Sequence, residues 1–82
     1  MQTIDRVQTG VRVERRIVKV MKALAERLDM SLGELIEGVM LHAFEGKAPF
    51  APETLERIAQ LKAVYELDLT AADAHALVEA GG

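Results

Sequence analysis

The stretch that decides the fold is "VQTGVRVERRIV", residues 7–18. Val7, Thr9, Val11 and Val13 put apolar or β-branched side chains at every second position, with Gln8, Gly10 and Arg12 between them. That two-residue rhythm predicts a half-buried strand. From Glu14 onward the rhythm turns helical, and no second run of this kind follows in the chain. A lone strand leaves a row of backbone donors and acceptors unpaired, so its expected partner lies outside the chain.

Working outward, Glu14 to Leu28 predicts a helix. Ile17, Val20 or Met21, Leu24 and Leu28 recur at three- and four-residue spacing and build one apolar stripe. Arg15, Lys19, Lys22 and Glu26 form a second stripe, suited to solvent or to phosphates. Asp29 stands where a left-handed residue would close the helix. Ser31 then opens another, because "SLGE" is a capping box in which Ser31 and Glu34 each serve the other's backbone amide. Leu32, Leu35, Ile36, Val39, Met40 and Ala43 share one face of it, with Phe44 beside them.

"EGKAPFAP" interrupts the pattern, with Gly46 as a helix C-cap and Pro49 and Pro52 excluding helix. It divides the chain into a core, residues 1–47, and an extension, residues 48–82. In the extension Pro52 suits a helix start, and Leu55, Ile58, Leu61 and Tyr65 give an apolar face with the Lys62 stem along it. A short last helix is expected from Ala71 to about Ala80, capped by Thr70 or Asp68.

Composition narrows the function. Half of the 82 residues are hydrophobic, but Phe44, Phe50 and Tyr65 are the only aromatics, so the core is aliphatic. The absence of cysteine excludes disulfides, thiolate metal sites and cysteine nucleophiles. Asp5 and Arg6 interrupt any signal-like apolar run, and no apolar stretch approaches the roughly 20 residues that span a bilayer. The expectation is a soluble, cytoplasmic protein with no membrane partner. His42 and His75 stand far apart in sequence, and no nucleophile–base constellation is visible. No enzyme, metal or cofactor is expected.

Charge is uneven. Residues 1–47 hold eight Lys/Arg against seven Asp/Glu, whereas residues 48–82 hold two against six. Between residues 6 and 22, six basic side chains face only Glu14. A basic block on an acidic chain points to an anionic partner for that end. On charge alone, a solvated helix face is the simpler reading.

A strand and two helices in residues 7–45 fall below the roughly 40 residues that usually support an independent core. With no disulfide and few metal ligands, association with a second copy is what remains. From Gln8 to about Phe44, "VRV", "ERRIVKVMKALAERL", "DMS" and "LGELIEGVML" follow one another in an order that resembles the ribbon-helix-helix repressors of the Arc and MetJ type. The fold class this implies is mainly α with one N-terminal β-strand. Two copies would intertwine through an antiparallel ribbon, with a helical extension beyond.

The resemblance implies a homodimeric, sequence-specific DNA-binding regulator, a repressor, whose ribbon enters the major groove of double-stranded DNA. By position, Gln8, Gly10 and Arg12 would face the bases. Arg12 can donate twice to guanine and Gln8 can pair with adenine, while glycine reads nothing. Ser31, Leu32 and Gly33, at the start of the second helix, would clamp phosphate, and Arg6, Arg15 and Arg16 would add attraction independent of sequence. Val11, Val13, Ile17, Met21, Leu24, Leu35, Ile36 and Val39 would form the shared dimer core. Higher-order assembly on DNA stays open. The alternative is a protein-interaction module, either an antitoxin or an adaptor without DNA binding, in which the C-terminal helices hold a protein partner.

Overall fold

Each helix starts where its first amides find an acceptor or lose the need for one. In the computed structural model, which describes residues 1–80, helix α1 spans Arg15–Arg27, and the Glu14 carboxylate accepts from the backbone N–H groups of Arg16 and Ile17. Helix α2 spans Leu32–Phe44 behind the predicted capping box: Ser31 Oγ accepts from Glu34 N–H at 3.1 Å, and Glu34 Oε1 accepts from Ser31 N–H at 2.9 Å. Helix α3 spans Pro52–Val64, and Pro52 in its first turn has no N–H to satisfy. Asp29 closes α1 in the left-handed conformation, with φ of 55°. Gly46 follows α2 with φ of 69°, a region where glycine carries no Cβ penalty.

The core is small. Val20, Leu24 and Ala25 of α1 and Leu35 of α2 are the buried hydrophobic residues. Met21, Met30, Val39, Phe50, Ile58 and Leu61 pack against Leu24, Ala25 and Leu35. Helix α1 is the central element, touching both α2 and α3, whose side chains meet it in one apolar cluster. Ala25 does more than fill space, since its carbonyl accepts from Leu28 N–H and Met30 N–H and so shapes the α1–α2 turn.

Among the described residues there is no β-strand. The strand expected over residues 7–13 is therefore corrected, and with it the ribbon-helix-helix architecture built on pairing that strand with its copy. Residues 1–13 form an irregular, exposed arm that makes no backbone–backbone hydrogen bond among the described residues. Alternating side chains give a segment two faces, but a strand is held by the N–H and C=O groups of a neighbouring strand. No other described segment of the chain supplies that ladder. Val7 and Val11 are consequently 85% and 78% exposed.

The last helix is a second correction. Only a single 3-10 turn, Ala71–Asp73, forms in that stretch. Thr70 N–H donates to Asp73 Oδ2 at 2.8 Å and so starts the turn, but His75 adopts a left-handed φ of 67°. A helix of about ten residues needs a packed face to survive, and Leu77 and Val78 remain exposed. No helix among the described residues is long and apolar enough to cross a membrane.

Candidate nucleic-acid interface

The six basic residues between positions 6 and 22 divide into two sets. Arg15, Lys19 and Lys22 lie at helical spacing on one face of α1, exposed, and form no ion pair among the described residues. With Glu26, likewise exposed, they make up the polar stripe expected from the sequence. Arg6, Arg12 and Arg16 are instead engaged within the chain.

Arg6 makes a fork-to-fork pair with Glu37 of α2, through Nε to Oε2 at 2.8 Å and Nη2 to Oε1 at 3.0 Å. That pair holds the Glu37 carboxyl below its ordinary value and raises the Arg6 guanidinium. It also ties the arm to α2 across 31 residues of sequence. Arg12 reaches Glu79 in the C-terminal segment. Arg16 donates through Nη1 to the Glu66 carbonyl at 3.0 Å and to Asp68 Oδ1 at 3.1 Å, while its Nε lies 3.2 Å from Glu14 Oε2. Burial pushes the Glu14 carboxyl up, but the Arg16 and Ile17 amides and the Arg16 guanidinium outweigh it, so Glu14 sits below the ordinary value.

The three residues expected to face bases are on the arm. Gln8 and Gly10 are exposed, a Cβ added at Gly10 would meet nothing within 4 Å, and Arg12 is exposed apart from its contact with Glu79. They share an irregular stretch of chain without a common rigid face. At the start of α2, Ser31 N–H already donates to Glu34, and the Ser31 amide and hydroxyl hold that carboxyl low and charged. A phosphate at Ser31, Leu32 and Gly33 would therefore meet the carboxylate of Glu34, with Glu37 close by. The helix N-terminus attracts anions, but here its own capping acid already meets part of that demand.

Of the expected dimer core, Leu24 and Leu35 are buried, and Met21 and Val39 pack beside them. Ile17 is half-buried, whereas Val11, Val13 and Ile36 are exposed. Met40, Leu41 and Phe44 extend the exposed apolar surface along α2, with Phe44 75% exposed. The His42 ring sits 2.7 Å from the Gly38 carbonyl, a contact that requires the proton on Nδ1. No group of three or more metal-ligating side chains occurs among the described residues.

Sequence reasoning missed Glu37, Asp68 and Glu79 as carboxylate partners of the arginines, and the Glu66 carbonyl as a further acceptor for Arg16. The acidity of the three carboxylates was visible, but their approach to the arginines depends on contacts across the chain, and for Asp68 on how α3 folds back on α1. The chain matches no family model, no curated protein and no solved structure.

Proposed function

We propose that the protein is a homodimeric DNA-binding regulator, a repressor, that grips the duplex backbone with the basic face of α1 and reads bases with its N-terminal arm. The observation that carries this reading is the trio Arg15, Lys19 and Lys22, exposed on one helical face without a carboxylate partner among the described residues. Such a row gives attraction to phosphate independent of sequence. Arg12 and Gln8 supply the donor pairs that suit guanine and adenine. They act here from an irregular arm that orders on binding, at a cost in chain entropy.

Area supports the second copy. The chain exposes 7154 Å², whereas a compact monomer of its mass exposes about 4,900 Å². Its radius of gyration of 14.0 Å also exceeds the roughly 12 Å of a compact chain of this length. The excess, roughly 2,300 Å², is more than the approximately 800 Å² that each partner contributes to a standard interface. Exposed apolar groups for it run along α2 (Ile36, Met40, Leu41 and Phe44) and along the arm (Val7, Val11 and Val13). The same exposed side chains favour a protein-interaction module as the second reading.

Selection of the purified protein against random DNA duplexes at physiological salt tests the proposal. Enrichment of a short repeated motif is expected. If about 6 phosphates are neutralised per dimer, log affinity falls against log salt with a slope near −5. Lys19→Gln with Lys22→Gln should flatten that slope by roughly 1 for each phosphate no longer neutralised, equally for all sequences. No enrichment, together with a salt slope unchanged in the double variant, would leave the protein-interaction reading in its place.

A further inference from the structure

We propose that the segment from Glu66 to Glu79 is an internal electrostatic brake, whose acidic groups occupy Arg12 and Arg16 until a nucleic-acid phosphate displaces them. The inference rests on the reading of the N-terminal half as an anion-binding surface. Two contacts carry it, Arg16 with the Glu66 carbonyl and Asp68, and Arg12 with Glu79. They join residues 50 to 67 apart in sequence, both from the basic block to the acidic C-terminal segment.

The segment is placed by structure as well as by charge. Glu66 takes a left-handed φ of 54°, and Leu67 N–H returns to the Lys62 carbonyl at 2.8 Å, which reverses the chain at the end of α3. Lys62 Nζ then donates to the Leu69 carbonyl at 3.0 Å, and the Thr70–Asp73 turn follows. These bonds fix the shape of the loop, and Arg16 at the start of α1 reaches it through the Glu66 carbonyl and Asp68. The ion pairs themselves are solvent-exposed, with the Asp68 side chain 85% and the Arg12 side chain 84% accessible. Exposed pairs of this kind are individually weak and are screened by salt, so a dense row of phosphates can replace them. Lys19 and Lys22, which have no such partners among the described residues, would make first contact.

The test uses the full chain with Asp68→Asn and Glu79→Gln together. Its control is Glu53→Gln with Glu56→Gln, which makes the same change in net charge on α3, where neither acid forms an ion pair among the described residues. Binding is measured to a 20-base-pair duplex and to inorganic polyphosphate, a polyanion without grooves or bases. Removing two competing carboxylates should tighten duplex binding about 10-fold at low salt, well beyond the control, and steepen its salt dependence. Equal tightening in the variant and the control would reduce the effect to net charge and overturn the brake. Tighter binding to polyphosphate with no duplex binding by any variant would sustain the brake and overturn the DNA reading. Failure of every variant to bind either polyanion would overturn both.

Discussion

At the scale of single residues, carboxylates decide how this chain behaves in acid. Glu14 caps α1 and pairs with Arg16, Glu34 caps α2, and Glu37 holds Arg6. All three sit below the ordinary value of 4.5 in the folded chain. A carboxyl that is more acidic when folded stabilises the fold above its unfolded value, and that contribution disappears as pH falls through the folded value. Stability should therefore hold near neutrality and decline from about pH 4.5 downward. Urea denaturation at pH 7 and at about pH 3 measures this. The Glu34→Gln, Glu37→Gln variant should lose less between the two pH values than the parent chain. An equal loss would place the acid sensitivity elsewhere.

At the scale of elements, helix ends were the most legible feature. The Ser31–Glu34 box, the left-handed Asp29, Gly46 after α2 and Pro52 at the start of α3 all stand where local rules put them. Capping depends on residues within one turn, so the sequence carries the whole of its cause. Ser31→Ala should cost about 1 kcal/mol of folding stability, read as a lower urea midpoint at an unchanged slope. The two failed elements depend on more distant partners. The arm alternates like a strand but has no ladder to join, and residues 71–80 have helix-forming alanines but no surface to pack on. Of the arginines expected to contact phosphate, Arg15 alone forms no ion pair among the described residues. The shared face of Arg15, Lys19, Lys22 and Glu26 was legible from spacing, but not that its three basic side chains stay unpaired among the described residues. The engagement of Arg6, Arg12 and Arg16 was not legible either.

At the scale of the whole molecule, the core of one chain is thin. Among the described residues, the four that are buried and hydrophobic leave little margin against the entropy of ordering the chain. Helix α3 contributes Ile58 and Leu61 to that core, and the preceding loop contributes Phe50. Removing residues 48–82 would therefore strip α1 of packing as well as removing any partner site, which makes deletion a poor way to separate functions. The proposed second copy leads to a sharper expectation. Thermal stability should rise with protein concentration, as it does when folding and association are coupled. Met40→Ser with Phe44→Ser should abolish that dependence and give a monomer by sedimentation. A melting temperature independent of concentration in the parent chain would count against a dimer.

Local chemistry in the sequence was enough to place α1 and α2 and the start of α3, to make the core aliphatic, and to put a polar, mostly basic stripe on α1. Those outcomes need only neighbours within a turn or two of helix. The end of α3, closed by left-handed Glu66, was not legible there. Tertiary structure alone decided that residues 7–13 are an arm, that α1 is central because α3 folds back on it, and that the acids at 68 and 79 meet the arginines at 16 and 12. Each of these depends on groups brought together across the chain, or on a partner the chain does not contain. Hydrophobic rhythm shows which way a side chain faces; it does not supply the backbone groups or charges waiting on the other side.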